Sequence, residues 1–293
     1  MEWYRPRRGA YPWRLHPTPY RVLVSEVMLQ QTQAARVVPA FERFMDRFPS
    51  IAALAGVPRS EIVRAWSGLG YNRRAVALSE AARAVVEEHA GRIPRSIEDL
   101  RRLPGVGSYT AAAVASLAFG EPVAAVDTNV RRVVARAVLG MDATEAPPAD
   151  VGRAAGRWID RRDPGGFNQA VMDLGREVCR TTPRCGACPL RRGCRFRRVR
   201  GQAAPGRLEP APVAARSRGS APPFRGSSRE ARGKVVEALR ARTSATLARL
   251  TLDTGVSRGR VAQAVRELAA EGIVRAGPAT RAGSPRGRVA LAD

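Results

Sequence analysis

The turn Leu103-Pro-Gly-Val-Gly-Ser-Tyr-Thr110 is the most informative part of this sequence, because it joins two helical segments and carries two closely spaced glycines. Glycine adopts backbone angles that other residues avoid, and we expect Gly105 and Gly107 to do so. An apolar helix follows at 111–119. The N–H groups of the turn and of the helix N-terminus then point outward, which is the arrangement that binds a phosphate.

A carboxylate follows this turn at a short distance along the chain. Asp127 comes after an apolar, strand-like step and directly before another predicted helix. Leu-Pro-Gly-x-Gly turns join helices in many proteins, and an aspartate at this place is often only the N-cap of the helix. The turn and the carboxylate together nevertheless indicate chemistry on a nucleic acid.

The composition agrees with a nucleic-acid partner. The chain has 293 residues and a formal net charge of +24, with a pI of about 11.6. Such a charge favours binding to DNA or RNA. No run of about 18 apolar residues is present, and the N-terminus lacks the apolar core of a signal peptide. We therefore expect a cytoplasmic protein without a membrane contact, and we take it to be a monomer.

Helical periodicity covers the sequence from Pro19 to about Glu177, with glycine and proline in the gaps. No segment there shows the alternation that is typical of a strand. The sequence thus predicts an all-α domain. Its predicted helices are 20–29, 33–47, 59–67, 73–89, 97–102, 108–119, 128–138 and 167–178.

We expect three segments along the chain: a catalytic domain at 1–200, a linker at 201–228 and a small domain at 229–293. The linker is rich in Ala, Pro, Gly, Ser and Arg. The small domain has the pattern of a winged helix, whose second helix contacts DNA; a packing or protein-contact domain of the same shape fits the pattern equally well. Its predicted elements are helices at 229–242 and 258–271, a turn at 251–256, and wing strands at 272–276 and 287–291.

All four cysteines fall within 16 residues, with many arginines among them and no acidic residue. In a cytosolic protein such a cluster is a metal site more often than a set of disulfides. Four thiolates suit either zinc or an iron–sulfur cluster, and the spacing alone does not decide between them. The predicted metal ligands are Cys179, Cys185, Cys188 and Cys194.

The sequence resembles the helix-hairpin-helix DNA glycosylases that carry a [4Fe–4S] cluster, and among them the MutY family of adenine DNA glycosylases. The resemblance covers about residues 11–200, although the interval between the first two cysteines is one residue shorter than is usual in the family. It implies a helix-hairpin-helix fold and a [4Fe–4S] cluster, with zinc as the alternative. The runs that carry it are Pro19-Tyr-Arg-Val-Leu-Val-Ser-Glu-Val-Met-Leu-Gln-Gln-Thr-Gln33, Phe44-Met-Asp-Arg-Phe-Pro49, Trp66-Ser-Gly-Leu-Gly-Tyr71 and Phe167-Asn-Gln-Ala-Val-Met-Asp-Leu-Gly175.

Glu26 lies in an apolar helical segment, where an acid is costly unless it is paired or has a function. The resemblance implies that Glu26 protonates N7 of adenine, and burial would raise its pKa for that task. Asp127 matches the second carboxylate of the family, which stabilises the oxocarbenium-like sugar. Water then completes the hydrolysis, with Glu26 acting as the base.

Tyr109 stands where strand-cutting relatives such as endonuclease III have a lysine that forms a Schiff base. Lys234 is the one lysine of this chain, and it lies in the small domain. The resemblance therefore implies a monofunctional glycosylase without β-lyase activity. Tyr109 and Asn129 are expected to position the sugar and the water.

Further residues match family positions that contact DNA. Gln31 and Tyr71 match side chains that insert into the base stack when the target base is flipped out. Gln169 matches a residue that recognises the edge of adenine, for which an amide is suited. The remaining predicted contacts are Trp13, Arg14, Gln30, Thr32 and the glycines Gly105 and Gly107.

The function that the sequence predicts is excision of adenine opposite 8-oxoguanine or guanine in double-stranded DNA, as a step of base excision repair. A thymine or uracil mismatch glycosylase of the same superfamily is the first alternative, and a non-catalytic DNA-binding protein is the second. The residues 201–293 do not resemble the Nudix-like domain with which many MutY proteins recognise 8-oxoguanine. The sequence leaves open how this chain recognises the opposite base.

Overall fold

A computed structural model of the chain describes residues 1–8, 11–203 and 224–293, and the side chains up to residue 199 and from 224 onward. Most of the predicted linker therefore lies outside the described residues. The described chain forms two compact units. The first takes Met1–Glu26, Ile93–Arg102 and the residues from Val106 to 203; the second takes Val27–Arg92, Leu103–Gly105 and the residues from 224 onward.

The described residues up to 203 are helical, as the sequence predicts, and contain no strand. None of the described helices is long and apolar enough to cross a membrane. The α-helices of this part are α1 (Pro12–Leu15), α2 (Pro19–Leu29), α3 (Ala34–Arg47), α4 (Ile51–Ala55), α5 (Arg59–Ala65), α6 (Arg73–Glu88), α7 (Ile97–Arg102), α8 (Ser108–Phe119), α9 (Thr128–Val134), α10 (Pro148–Trp158), α11 (Pro164–Glu177) and α12 (Arg195–Ala203).

The predicted helices differ from these in places that have physical explanations. The helix predicted at 128–138 is α-helical only to Val134 and continues as a π-turn over Ala135–Leu139, which Gly140 ends in the left-handed region. The sequence did not predict α1, α4, α10 and α12. The five residues of α4 are too few to show a period, and their helix depends on the cap that Ser50 provides to the Ala53 N–H.

Helix α8 packs against α7 and α11 in the first unit. Its residues from Thr110 to Ser116 are all buried, so its apolar surface extends around the helix rather than along one face. Gly120 ends α8 with a φ of 69°. Helices α9 and α11 pack together on a core that includes Val130, Val133 and Leu174. This packing fixes the loop between α8 and α9, where the candidate site lies.

The second unit ends in a small domain with the element order of a winged helix. Its sheet is antiparallel with the strand order β1-β3-β2, and Val274 pairs with Leu291. The elements are α13 (Ser228–Arg240), β1 (Ala245–Thr246), α14 (Leu247–Thr254), α15 (Arg258–Ala270), β2 (Val274–Ala276), α16 (Pro278–Arg281) and β3 (Arg288–Leu291).

The turn predicted at 251–256 is wrong in its first half. Helix α14 continues to Thr254, and the turn begins at Gly255, which has a φ of 63°. Thr246 caps the helix by accepting a hydrogen bond from the Arg249 N–H, and Leu247 and Leu250 are buried. The threonines of this segment are weak helix formers, but capping and burial outweigh that preference.

Candidate functional site

Glu26 is buried in α2 with 5% of its surface exposed. The Tyr109 hydroxyl donates a hydrogen bond to its carboxyl, and Asp127 and Arg14 act on it electrostatically. Burial and the negative charge of Asp127 raise the pKa of Glu26 to about 7, against the opposing effects of Tyr109 and Arg14. Glu26 is thus a carboxyl group that holds a proton near neutral pH, which is the property of a general acid.

Tyr109 is the second residue of α8, directly after the glycine turn. Burial of its hydroxyl raises the pKa of Tyr109 well above its ordinary value, and the nearby carboxyl groups add to this effect. The Tyr109 oxygen also lies 3.8 Å from the Met172 sulfur. A hydroxyl that stays protonated can donate to Glu26 but cannot form a Schiff base.

Asp127 is the N-cap of α9, as its position before a predicted helix suggested. Its Oδ1 accepts a hydrogen bond of 2.6 Å from the Val130 N–H, and its Oδ2 accepts one of 2.8 Å from the Asn129 amide. The capping role does not exclude a catalytic one. Both oxygens are held by donors, so the carboxylate keeps one orientation while remaining close enough to influence Glu26.

Asn129 belongs to a chain of hydrogen bonds that runs from Asp127 to the cysteine segment. The Arg132 guanidinium donates to Asn129 Oδ1 at 2.8 Å, to the carbonyl oxygen of Gly175 at 2.6 Å and to that of Cys179 at 2.5 Å. The sequence did not single out Arg132. The local clue to Arg132 was its position one turn after Asn129 on the same helix. That clue has meaning only after Asn129 has been assigned a function.

Asn168 holds the segment that leads to Asp127. Its side chain is buried and bonds the N–H of Ala125, the carbonyl oxygen of Val123 and the Ser116 hydroxyl. These three partners satisfy the amide and fix the backbone before Asp127. The apolar step that the sequence showed here is therefore not a strand but an irregular segment held by α11.

The predicted pocket residues of the N-terminal segment lie against α11. Arg14 forms a buried, two-pronged ion pair with Asp173, with contacts of 2.7 and 3.1 Å. The Tyr4 hydroxyl donates to Gln169 Oε1 at 2.5 Å, and the buried Trp13 stacks on a neighbouring tyrosine. Sequence reasoning missed Tyr4 and Asp173, because their role depends on contacts more than 150 residues apart along the chain.

Gln31 and Tyr71, which are predicted to insert into the base stack and are called the wedge residues below, lie in the second unit. Both have left-handed backbones, with φ of 56° and 47°. Such angles are strained for residues with side chains and often mark functional positions. Tyr71 is half exposed. Thr32 lies in the same turn as Gln31, and its hydroxyl oxygen is 3.4 Å from the carbonyl oxygen of Gln30.

Arg74 connects the turn that carries Gln31 with the turn that carries Tyr71. Its guanidinium donates to the carbonyl oxygens of Val27, Met28 and Gln30 at the end of α2, to the Thr32 hydroxyl, and to the carbonyl oxygens of Leu69 and Gly70 before Tyr71. Burial lowers the pKa of Arg74 to about 10, so it remains a cation at neutral pH. Nothing in the sequence singled out this role of Arg74.

The two glycines of the Leu103–Thr110 turn differ. Gly105 has a φ of 75°, and a Cβ there would lie 2.7 Å from the Cβ of Ala77, so both the angle and the space require glycine. The expectation of an unusual angle at Gly107 is wrong: its φ is −84° in extended backbone, and a Cβ would meet no atom within 4 Å. Gly107 is the N-cap of α8, where the absence of a side chain leaves the helix N–H groups open.

The four cysteines line one small cavity together with Arg136 and Phe196. All four are free thiols. Arg136 lies 3.9 Å from the Cys179 sulfur and bonds the carbonyl oxygen of Arg180 at 2.6 Å. Within the described residues no three potential ligands are drawn together tightly enough to hold a metal ion. The donor set itself, four thiols beside cationic side chains, fits a thiolate-bound cluster.

Comparisons with known proteins agree with this arrangement. A model of the HhH-GPD superfamily of base excision DNA repair proteins matches residues 24–159. An adenine DNA glycosylase of Mycobacterium tuberculosis (strain CDC 1551 / Oshkosh) is 42% identical over 246 residues, which cover 82% of this chain and 77% of that protein. The hairpin turn, the two carboxylates and these matches define a DNA glycosylase of base excision repair.

Solved structures support the fold. A thermostable thymine-DNA glycosylase is similar with a TM-score of 0.60 and 32% identity, over 64% of this chain and 88% of that one. Endonuclease III, trapped in a covalent intermediate with DNA, is similar with a TM-score of 0.55 and 27% identity, over 63% and 87%. The chain belongs to the MutY family of adenine DNA glycosylases.

Proposed function

We propose that this DNA glycosylase is monofunctional and hydrolyses the N-glycosidic bond of adenine that is mispaired with 8-oxoguanine or guanine in double-stranded DNA. The observation that carries the proposal is the pair Glu26 and Asp127: a buried acid with a pKa of about 7 beside a carboxylate held by two donors. Paired carboxylates with different environments are the recurring device of glycosidic cleavage.

In the first step Glu26 gives its proton to N7 of the flipped adenine. The bond between C1′ of the sugar and N9 of the base then breaks, and its electron pair leaves with the neutral base. The Glu26 carboxylate that remains is stabilised by the Tyr109 hydroxyl and by the nearby cation of Arg14. Protonation of the leaving group is worth most when the acid has a pKa near the working pH.

In the second step Asp127 faces the positive charge that develops on the sugar. The donors Val130 N–H and Asn129 fix its direction before the charge appears, so little reorganisation is needed. Water attacks C1′ and loses a proton to the Glu26 carboxylate, which regenerates the acid. The product is an abasic site in an uncut strand.

The four cysteines are proposed to hold a [4Fe–4S] cluster, with zinc as the alternative. Its thiolate ligands would be Cys179, Cys185, Cys188 and Cys194, and the cluster would fix the segment that accepts a hydrogen bond from Arg132. No chemical step depends on the cluster. An absorption spectrum of the purified protein distinguishes the two metals, since only the iron–sulfur cluster absorbs broadly in the visible range.

Gln31 and Tyr71 are proposed to enter the duplex, Gln30 to contact it, and Gln169 with Trp13 to contact the flipped base. Gly105 and Gly107 would place the hairpin N–H groups against a phosphate. We further propose that the protein acts in the cytoplasm as a monomer. The domain boundaries 1–200, 201–228 and 229–293 are part of the same proposal.

One assay tests the reaction: duplexes with A:8-oxoG, A:G, T:G and U:G pairs are incubated with the enzyme and then treated with alkali. Cleavage of the adenine strand only after alkali is the expected result. Product from T:G or U:G alone would assign the chain to the specificity of the thymine-DNA glycosylase that it resembles. Strand cleavage without alkali would contradict the absence of lyase activity, and no product from any duplex would contradict the enzyme assignment.

A further inference from the structure

The winged-helix domain is strongly basic. Residues 224–293 contain 14 basic and six acidic residues. Most of the acids are already paired: Asp253 with Arg242 and Arg249, Asp293 with Arg275, and Glu230 with Lys234. The positive charge that remains is therefore carried by a subset of arginines whose places in the fold can be named.

Six exposed arginines on two elements of this domain form no ion pair within the described residues. The two elements are the helix α15 and the wing, which we define as residues 277–288, from the end of β2 to the first residue of β3. Arg266 of α15 donates to the carbonyl oxygen of Arg281 at 3.2 Å, so the two elements are adjacent. The six are Arg258, Arg260, Arg266, Arg281, Arg286 and Arg288.

The charge along α15 is graded. Arg258 and Arg260 occupy its first turn and are exposed, whereas Glu267 and Glu271 lie at its C-terminal end, where both pair with Arg232. In a helix–turn–helix the N-terminal residues of the second helix contact the major groove. The basic end of α15 is thus the end that would meet DNA, and the acidic end is ion-paired with Arg232.

A second observation places DNA near this domain. Arg232, Glu267 and Glu271 line one cleft of the second unit together with Gln31, Tyr71, Arg74 and Gly105. Among these, Gln31 and Tyr71 are proposed to enter the duplex, and Gly105 to bind its phosphate backbone. The winged-helix domain therefore borders the surface at which the hairpin and the wedge residues would meet DNA.

The winged-helix domain is also held in a fixed position by hydrogen bonds to α5. Arg64 of α5 donates to the carbonyl oxygens of Leu239, Arg240 and Arg242 at the end of α13. In return, Arg240 donates to the Val63 carbonyl oxygen at 3.1 Å and to the Asn72 side chain at 3.0 Å. A basic surface held in place by such bonds adds to DNA binding without an ordering cost.

We propose that the winged-helix domain is a second duplex-DNA-binding surface, in which Arg258 and Arg260 enter a groove and the wing arginine Arg286 contacts the phosphate backbone. The proposal goes beyond adenine excision, because it concerns binding to any duplex. It shares with the proposed function only the premise that the substrate is double-stranded DNA.

The test compares two full-length variants that each lose three positive charges. The first carries Arg258→Gln, Arg260→Gln and Arg286→Gln; the control carries Lys234→Gln, Arg242→Gln and Arg249→Gln, which are ion-paired and lie outside α15 and the wing. The dissociation constant for an undamaged 30-base-pair duplex is measured by fluorescence anisotropy over a series of salt concentrations. Circular dichroism melting confirms that both variants are folded.

The slope of log Kd against log salt concentration should fall by about 1 in the first variant, since the lost phosphate contact of Arg286 removes about 0.9. At moderate salt its Kd should weaken at least tenfold, and the control should keep the wild-type slope. Equal slopes in the first variant and the wild type would overturn the proposal and leave the surface to a protein partner. Binding to undamaged DNA needs no catalysis, so the result is independent of the glycosylase assay.

Hydroxyl-radical footprinting provides a second readout. The wild-type protein should protect a stretch of backbone that the first variant leaves open and that the control variant still protects. Identical footprints of the wild type and the first variant would also overturn the proposal, whatever their affinities.

Discussion

The Tyr109 hydroxyl donates a hydrogen bond to the Glu26 carboxyl, and this bond opposes the effect of burial on the proton of Glu26. Burial and the neighbouring Asp127 raise the pKa of Glu26 to about 7, while Tyr109 stabilises the charged form and lowers it. The acid and its hydroxyl partner therefore set between them the pH at which the enzyme loses its proton donor.

The first prediction concerns the pH dependence of catalysis. The single-turnover rate of adenine excision should fall above about pH 7, because Glu26 must be protonated to act as the acid. In Tyr109→Phe the falling limb should move to higher pH, since the hydrogen bond that favours the carboxylate is lost. The control is Tyr11→Phe, whose hydroxyl bonds Arg176; an equal shift there would contradict the assignment.

The same proton also affects stability. The folded protein holds the Glu26 proton up to about pH 7, whereas the unfolded chain releases it near pH 4.5. The contribution of Glu26 to the free energy of unfolding is therefore present below pH 4.5 and is lost as the pH rises to 7, by about 3 kcal/mol. Denaturant unfolding of Glu26→Gln should show a correspondingly flatter dependence between pH 5 and 8. Parallel curves for variant and wild type would exclude a raised pKa.

A third prediction tests the support of Asp127. A Cβ on Gly175 would lie 2.7 Å from the Cβ of Asn129 and 2.8 Å from its carbonyl oxygen. Gly175→Ala should therefore displace Asn129 and lower the excision rate at least tenfold, with a loss of stability of about 1–3 kcal/mol from overpacking. Gly156→Ala in α10 is the matched control, because a Cβ there meets nothing within 4 Å. It should raise stability slightly, since alanine favours a helix.

The sequence predicted the elements whose signal is local. The bounds of α7 and α8 were predicted to the residue, because a glycine turn separates the two helices and Gly120 ends the second. Asp127 and the four cysteines were singled out from local sequence patterns. The strands β2 and β3 were predicted from two short apolar runs. The two-residue strand β1 was not predicted, since its conformation depends on pairing with β3.

The residues that the sequence did not reveal act through distant backbone. Arg74 and Arg132 bond carbonyl oxygens that are up to 47 residues away, and any exposed arginine in this arginine-rich chain has the same local appearance. Asp173 is likewise an ordinary helical acid until Arg14 is placed beside it. Such roles depend on tertiary contacts, which periodicity does not report.

The fourth prediction concerns Arg74 and the wedge residues. Arg74→Lys keeps the charge, but an ammonium group has no planar fork to reach the end of α2 and the turn before Tyr71 at once. The turns that carry Gln31 and Tyr71 should loosen, and excision under single-turnover conditions should slow at least tenfold. The pH at which the rate falls, which depends on Glu26, should not change. Arg73→Lys is the neighbouring control at an exposed position, and a similar loss there would show that the effect is not specific to the hydrogen bonds of Arg74.

The last prediction concerns the attachment of the winged-helix domain. The Arg64 guanidinium caps the C-terminal end of α13 through three carbonyl oxygens, and hydrogen bonds from a charged donor contribute about 1.5–3 kcal/mol each at most. Arg64→Ala should therefore increase hydrogen exchange of amides in α13 and β3 by at least tenfold, because these elements would open without unfolding the helices that precede them. Arg249→Ala, on the exposed side of α14, provides the control. Since the attachment holds the basic surface in place, Arg64→Ala should also weaken binding to undamaged duplex, and unchanged exchange together with unchanged binding would show that these bonds do not hold the domain.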